Sequence, residues 1–247
     1  MIDARKSVWV DALLARHAER RIRRTFGRSW VQGLPHVRAA IDAGPVLVVS
    51  NHTSWWDPLV LLWACRRLLD AHAYAMMDAK NLARAPFFRG VGAFGVDLSD
   101  PADGARGIRY AAKLLDRPRR LLWVFPQGRE VPITARELDF RAGAAQIARI
   151  ARRATVIPAA IRYEYGDGPL PELWLAFGEP LAPGRDVAAL HANQEQGVRR
   201  ALNAIDAAIL HGVRDKFERR HERRPGALFA IAQAILARVT RVRELSR

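Results

Sequence analysis

A histidine and an aspartate five residues apart, His52 and Asp57, carry the clearest chemical signal in this chain. A carboxylate bonded to one imidazole nitrogen fixes the tautomer and supports the imidazolium that forms when the other nitrogen takes a proton, which is the arrangement of a general base. On an ideal helix, positions five apart diverge by about 140°, so the two side chains meet only if a loop joins them. The aspartate could equally cap a helix while the histidine lines a turn. The pair alone leaves both interpretations open.

The residues before His52 predict a buried strand. The run 46–49 is wholly apolar, three of its four residues are β-branched, and it lies between a Gly-Pro breaker and a polar turn. Such a run is typical of a parallel strand covered on both faces. His52 is therefore expected just beyond a carboxyl end, where ligand crevices form in open α/β sheets. Pro58 predicts that a helix starts there, with Asp57 as its N-cap and residues 59–63 in its apolar part.

A second apolar strand, residues 121–125, also runs into a sharply turned polar loop, residues 126–130. Gly128 in this loop would let the backbone approach a ligand closely. Two buried strands that each end in such a loop are expected to place both loops on one crevice.

The alternation of strands and helices through residues 45–180 predicts an α/β fold, with a mixed, largely parallel central sheet flanked by helices. We predict further strands at 73–77, 155–161 and 172–177, a tight strand approach at 90–97, and an extended passage at 29–37. We predict helices at 80–90, 103–116 and 140–153, and one or two helices over 186–222. Pro158 predicts that its strand lies at a sheet edge or carries a bulge.

Arginine-rich helical segments flank the predicted core. Residues 3–26 predict a helix with a basic face, ended by Gly27, and residues 225–247 predict a basic amphipathic helix. Each helix could lie on an anionic lipid surface or pack on the domain. We therefore divide the chain into a basic helical segment (1–30), an α/β core (31–182) and a helical extension (183–247).

Composition points to anionic partners. The 247-residue chain is 50% hydrophobic, enough for one catalytic domain, and its net charge of +15 comes from 36 Arg and 4 Lys. Guanidinium groups bind phosphate and carboxylate in a bidentate manner, so nucleic acid, an anionic membrane surface or a phosphate-bearing substrate would all fit. The single cysteine, Cys65, lies in an apolar run and predicts a core residue, and the lack of a disulfide framework favours a reducing cytoplasm.

Neither a secretory signal nor a membrane span is predicted. The first residues, Met-Ile-Asp-Ala-Arg-Lys, contain no uninterrupted apolar segment. The uncharged stretch from Pro225 to Ala237 is well short of the roughly 18–20 apolar residues that cross a bilayer. We expect a cytoplasmic protein, peripheral on the inner face of the membrane.

The two strand-loop elements together resemble the glycerolipid acyltransferase family, the lysophospholipid and phosphatidate-forming enzymes, over about residues 28–182. The family's first motif, a histidine and an aspartate with four residues between them, is matched by His52 and Asp57. Its second, third and fourth blocks are similar to residues 92–98, 125–130 and 156–158. The substrate-binding residues that this resemblance implies are Asn51, Ser54, Phe125, Pro126, Gln127, Gly128 and Arg129.

Departures from the family's motifs concern the acceptor. Leu98 and Glu130 stand where the family has the arginines that hold the acceptor's phosphate, and Gln127 replaces a glutamate. Arg129, Arg106 and Arg109 are the expected alternative anion-binding residues. Acyltransferases with the FPQG variant include carotenoid-glycoside types, so the acceptor is expected to be either a non-phosphorylated glycolipid hydroxyl or a lysophosphatidate.

The chemistry that the resemblance implies is transfer of a fatty acyl group from acyl-CoA or acyl carrier protein to a hydroxyl of a lipid acceptor. His52 would take the hydroxyl proton, Asp57 would orient His52, and backbone amides near Gly128 would stabilise the oxyanion. This chemistry requires no metal, cofactor or covalent enzyme intermediate.

Two other function classes compete with this prediction. A nucleic-acid-binding protein is suggested by the charge and by Trp55, Trp56 and Trp123 as stacking groups. It leaves both strand-loop motifs unexplained, so no specific nucleic acid is expected. A serine hydrolase using Ser54 would need a G-x-S-x-G elbow, which the sequence lacks.

Overall fold

The structure is a computed structural model that describes residues 1–135 and 137–223. The strands are β1 (Arg28–Gln32), β2 (Val46–Ser50), β3 (His72–Asp78), β4 (Ala93–Val96), β5 (Arg120–Val124), β6 (Thr155–Tyr165), β7 (Pro171–Phe177) and β8 (Glu218–Glu222). The α-helices are α1 (Val8–Thr25), α2 (Leu34–Ala43), α3 (Asp57–Trp63), α4 (Ala79–Arg84), α5 (Pro101–Leu114), α6 (Gly143–Ile150) and α7 (Val187–His211). A π-helical turn, Ala64–Leu68, continues α3, and a 3-10 helix spans Pro86–Val91. The predicted helix at 225–247 lies outside the described residues.

All eight strands belong to one sheet, in the order β4-β3-β5-β2-β6-β7-β1-β8. Pairing is parallel except between β6 and β7 and between β1 and β8. Helices pack against this mixed, mostly parallel sheet, so the predicted α/β class is confirmed. The proposed boundaries at residues 30 and 182 remain predictions, although β8 pairs with β1 across both of them.

The strand before the histidine lies in the middle of the sheet, as its apolar run predicts. All five residues of β2 are buried, and Val48 lies opposite Trp123 of β5 and Ile157 of β6. Leu47 and Val49 pack in one core layer, whereas Val46 and Val48 pack in the layer on the other face. Both faces of β2 are therefore covered, which explains why its sequence does not alternate with polar residues.

Strands β3 and β5 separate towards their carboxyl ends. Their pairing ends at Ala75 opposite Trp123, whereas β3 continues beside β4 to Asp78 opposite Val96. The sheet therefore opens between β3 and β5 on the same edge at which β2 ends.

The prediction that Pro158 marks an edge strand or a bulge is wrong. Strand β6 lies inside the sheet, and Pro158 keeps a regular register opposite Val49. Its antiparallel pairing with β7 stops at Ala159 opposite Phe177, and the Pro158 carbonyl accepts from the Gly178 amide at 2.8 Å. The Pro158 nitrogen faces β7, as the Pro158 carbonyl does. Because the register of β6 with β7 ends at Ala159, this strand pair needs no amide proton from residue 158.

Two further segments differ from their predictions. The extended passage predicted at 29–37 ends at Gln32, and a helix begins at Leu34 because Pro35 suits its first turn. Residues 218–222 form the edge strand β8 rather than part of a helix. Its charged sequence carries no apolar alternation, as suits an exposed edge that must resist pairing with other chains.

Helix α1 packs on the domain through one face and exposes apolar side chains on another. Ala15, Ala18 and Ile22 are buried, and the last two belong to the core layer that includes α3. Val8, Trp9 and Leu13 are exposed, Trp9 to 86%. No helix in the described part of the chain is long and apolar enough to cross a membrane.

The end of β2 is joined to β6 by the side chain of Asn51. Its Nδ2 donates to the Ile161 carbonyl and its Oδ1 accepts from the Ile161 amide, both at 2.9 Å. Asn51 is 1% exposed, so this pair of hydrogen bonds extends the β2–β6 ladder inside the core.

We predict that Asn51→Ala lowers the free energy of unfolding by about 2–4 kcal/mol, because it leaves a buried donor and a buried acceptor of Ile161 unpaired. Urea denaturation measures this loss. Asn203→Ala, at an exposed position of α7, is the matched control and should change stability by less than about 0.5 kcal/mol. Equal losses of unfolding free energy in the two variants would contradict the contribution to stability proposed for the Asn51 hydrogen bonds.

Candidate active site

The turn after β2 brings His52 and Asp57 together. His52 Nδ1 lies 2.6 Å from Asp57 Oδ2, and the same oxygen accepts from the amides of Thr53 at 2.7 Å and Ser54 at 3.1 Å. Asp57 is completely buried, and the His52 side chain is 19% exposed. The loop needed to unite positions five apart is therefore present.

Asp57 does not cap the helix in the predicted way. Helix α3 begins at Asp57 itself, with Trp56 as the preceding residue, and the carboxylate accepts from the turn before it rather than from the helix after it. The prediction of Asp57 as the N-cap is wrong because the carboxylate points back into the turn, where it holds His52. Pro58 does lie in the first turn of the helix, as predicted.

A tyrosine that sequence reasoning missed completes the surroundings of Asp57. The Tyr163 hydroxyl donates to Asp57 Oδ1 at 2.6 Å. Burial, and next the charge of Asp57, raise the pKa of Tyr163 well above its usual value, so its hydroxyl keeps its proton. Tyr163 lies on β6, 106 residues from Asp57 in sequence, and no local pattern marks it.

The loop after β5 holds the backbone of His52 from both sides. Gln127 Oε1 accepts from the His52 amide at 2.6 Å, and the Val131 amide donates to the His52 carbonyl at 2.8 Å. The Phe125 ring stacks on the imidazole with 4.5 Å between centroids. The two strand-loop elements therefore meet in space, as predicted, and Gln127 supports the histidine from a buried position.

Gly128 forms the tight part of this loop. Its φ is +66°, and its amide donates to the Phe125 carbonyl at 3.0 Å. A Cβ at this position would lie 3.2 Å from Leu98 Cδ1, so the glycine serves both the left-handed turn and a close approach. Because the Gly128 amide is used within the turn, this one amide is not free to bind an oxyanion, and the role expected of other amides near Gly128 stays a prediction.

His52 lines a cavity of about 600 Å³. Both faces of the sheet contribute to it, because β3 and β5 diverge there. Its apolar lining includes Leu61, Leu62 and Ala75 from one core layer and Met76, Ile108 and Val124 from the other. A mostly apolar cavity with a few polar groups is the usual form of a small-molecule site.

Two arginines and a glutamate line the cavity near the Gly128 turn: Arg129, Arg141 and Glu130. Arg129 Nη2 lies 3.9 Å from Asp139 Oδ2, which is a long distance for an ion pair. The Arg141 amide donates to the Pro126 carbonyl, and its Nε lies 3.3 Å from where a Gly128 Cβ would stand. Among the described residues, no carboxylate forms an ion pair with Arg141. Sequence reasoning missed Arg141 because it lies in an irregular segment that no motif marks.

The other predicted anion-binding residues lie elsewhere. Arg106 bonds to Asp103 at 2.8 Å and approaches Asp100, and Arg109 is exposed on α5. Neither belongs to the described residues that line the cavity.

Of the predicted substrate-binding residues, Phe125, Pro126, Gly128 and Arg129 line the cavity. Asn51 and Gln127 are buried in bonds to the protein itself, and Ser54 Oγ accepts from the Trp56 amide at 3.2 Å. These three residues therefore support the turn.

The cysteine and one of the tryptophans considered for other chemistry are buried. Burial raises the pKa of the Cys65 thiol to about 12, so it stays protonated at neutral pH and is a poor nucleophile. Of the three tryptophans considered for stacking, Trp123 is fully buried and cannot contact bases, whereas Trp55 is 57% exposed and stacks on Trp56. In the ranges 1–135 and 137–223, no group of three or more His, Cys, Asp or Glu side chains is arranged to hold a metal ion.

One of three comparisons with known proteins identifies the family of this chain. A family model described as Acyltransferase matches residues 28–162, which include both strand-loop elements and end one residue before Tyr163. No curated protein matches the chain. Among solved structures, the crystal structure of the pilus retraction motor PilT with bound ADP is similar at 9% identity and a TM-score of 0.33, over 69% of this chain and 56% of that chain.

Proposed function

Because the chain belongs to the acyltransferase family of the glycerolipid acyltransferase superfamily, and is an enzyme that transfers an acyl group to a lipid acceptor, we propose that His52 is the general base of this transfer. The observation that carries the proposal is the 2.6 Å contact between His52 Nδ1 and a buried Asp57 at the edge of an apolar cavity. The contact leaves Nε2 as the nitrogen that takes a proton from substrate.

The proposed reaction needs only one base. The acceptor hydroxyl gives its proton to His52 Nε2 while its oxygen attacks the carbonyl carbon of a thioester. The tetrahedral intermediate then collapses, the carbon–sulfur bond breaks, and the leaving thiolate takes the proton back from His52. The products are an ester and a free thiol, and Asp57 stabilises the imidazolium between the two steps.

The apolar cavity supports a fatty acyl group as the part of the substrate that binds inside the protein. Its lining from both core layers buries hydrocarbon, at a gain of roughly 25 cal/mol per Å². The donor would be acyl-CoA or acyl carrier protein, both of which present anionic groups to a chain of net charge +15.

We propose a non-phosphorylated hydroxyl as the acceptor, of the glycolipid or carotenoid-glycoside type. Leu98 and Glu130 both line the cavity, at positions where the family resemblance calls for arginines. An apolar side chain and a negative charge both disfavour a phosphate group there.

A lysophosphatidate acceptor is a second candidate, and Arg141 favours it. This arginine lines the same cavity beside the Gly128 turn and, within the described residues, pairs with no carboxylate. Its guanidinium could bind a phosphate in a bidentate manner and so replace the missing family arginines.

We predict that purified protein releases free CoA from a long-chain acyl-CoA when given a lipid extract, and that His52→Ala lowers the rate by at least about 10²–10⁴-fold. Loss of the general base explains the size of the effect. Thiol release measures the rate, and mass spectrometry of the extract identifies the acylated product.

The matched control is His36→Ala, which removes a half-exposed histidine that pairs with Glu179. This variant should keep wild-type turnover. Turnover by a folded His52→Ala protein at the wild-type rate would overturn the proposed mechanism.

We predict that a monoacylglycerol competes at least about tenfold better than a lysophosphatidate of the same chain length when both are offered together. Charge repulsion by Glu130 and the apolar Leu98 are the physical reasons. Product ratios measure the preference. If phosphatidate dominates and Arg141→Gln removes that preference without changing the KM for acyl-CoA, the second candidate is correct.

An anionic membrane surface is the proposed partner that delivers the acceptor. Trp9, Leu13, Arg16 and Arg20 share one exposed face of α1, so apolar and cationic groups could enter a lipid interface together. Each arginine near such a surface contributes about 1 kcal/mol.

We predict that the protein sediments with vesicles made of equal parts phosphatidylcholine and phosphatidylglycerol, and that Trp9→Ser lowers the partition coefficient by about tenfold because an indole no longer enters the interface. Leu210→Ser, at a position 78% exposed near the end of α7, is the control and should have no effect. Equal losses in both variants would contradict the assignment of the α1 face.

A further inference from the structure

We propose that Tyr163 is a positioning residue of the acyl transfer, acting on His52 through Asp57. The juxtaposition that carries this inference is a tyrosine hydroxyl 2.6 Å from the one carboxylate oxygen that His52 does not use. The inference rests on the proposed role of His52 as the base.

Tyr163 is held in place by packing that is independent of its hydroxyl. Its ring stacks on Phe26, with 5.5 Å between centroids and 20° between planes. The Phe26 ring also makes an edge contact with Trp56, the residue before Asp57. The tyrosine ring is therefore anchored on the same apolar cluster that supports the turn.

The two oxygens of Asp57 have separate tasks. Oδ2 accepts from His52 and from two amides of the turn, whereas Oδ1 accepts from Tyr163. The tyrosine bond fixes the rotation of the carboxyl group, because it draws Oδ1 towards β6 and leaves Oδ2 facing the imidazole. It also takes up part of the negative charge that would otherwise hold a proton on His52.

Removal of the Tyr163 hydroxyl should therefore shift the pH dependence of the reaction in a definite direction as well as lower its rate. With one donor fewer, Asp57 attracts the imidazolium more strongly, so His52 keeps its proton to higher pH. A general base works in its neutral form, so the acid limb of the pH–rate profile moves to higher pH. The charged and titratable groups that act on the pair of Tyr163 and Asp57 are His52 from the turn, Glu130 from the loop after β5, and Arg21 of α1, which lies over Trp56 beside Asp57.

The test is the variant Tyr163→Phe, which keeps the ring and removes only the hydroxyl. We expect the acid limb of kcat/KM to move up by about one pH unit, equivalent to about a tenfold loss of rate below the limb and a smaller loss above it. We expect KM for acyl-CoA to stay within about twofold. A purely structural role would lower the rate equally at every pH.

The matched control is Tyr110→Phe. The Tyr110 hydroxyl accepts from the Ala4 amide at 3.3 Å and lies away from the turn, so its removal should leave the profile unchanged. A folded Tyr163→Phe protein with the wild-type pH profile would overturn the proposal.

Two measurements keep the test decisive. The imidazole Hδ1 proton of His52, seen by NMR, should move further downfield in Tyr163→Phe and stay unmoved in Tyr110→Phe. This resonance does not depend on turnover, so an inactive wild-type protein would refute the proposed function, while an unmoved resonance would refute the role of Tyr163. If Tyr163→Phe does not fold, 3-fluorotyrosine is incorporated at position 163 instead. Its hydroxyl donates a stronger hydrogen bond to Asp57, so the acid limb of the pH–rate profile should move to lower pH. An acid limb that does not move would overturn the proposal.

Discussion

The burial of one carboxylate, that of Asp57, is the constraint on which the rest of the site depends. Removing such a group from water costs several kcal/mol unless hydrogen bonds replace the lost solvent. Here four donors do so: the imidazole of His52, two amides of the turn and the Tyr163 hydroxyl. Each donor can reach Asp57 only if its own segment takes one conformation. The turn after β2, the start of α3 and the carboxyl end of β6 are therefore fixed relative to one another by a single side chain.

The second strand-loop element acts on the histidine in a different way, through its backbone. Gln127 and Val131 occupy the amide and the carbonyl of His52, while Phe125 covers one face of the imidazole. The hydrogen bond from the His52 amide to Gln127 explains what the glutamine of the FPQG variant does. The His52 amide needs an acceptor oxygen, which either glutamine or glutamate supplies, and glutamine supplies it without a second buried negative charge close to Asp57.

Sequence reasoning located what is encoded locally. Each of these features spans no more than about a dozen residues: the two apolar strands, their polar loops and the His52–Asp57 spacing. The structure brings all of them together. Tyr163 was missed because its significance lies in a contact across the sheet with a residue far away in sequence, and Arg141 because it lies in an irregular segment that no motif marks. The edge strand β8 was missed because an exposed, charged edge has no apolar alternation, and Pro158 misled because its antiparallel ladder ends one residue away.

The same distinction explains why the reaction is better defined than the substrate. The proposed base and its support come from one turn and two neighbouring strands, whose geometry follows from short motifs. The cavity is different: it exists because β3 and β5 separate beyond Ala75 and Trp123, and its walls come from both core layers. The charges near the Gly128 turn, Glu130 against Arg129 and Arg141, come from the irregular segments after β5, whereas Asp11, Arg66 and Asp78 come from other elements. In the proposed reaction, acceptor preference depends on the balance of a few opposing charges near the Gly128 turn, so a single substitution there is expected to change the substrate without disturbing the proposed base.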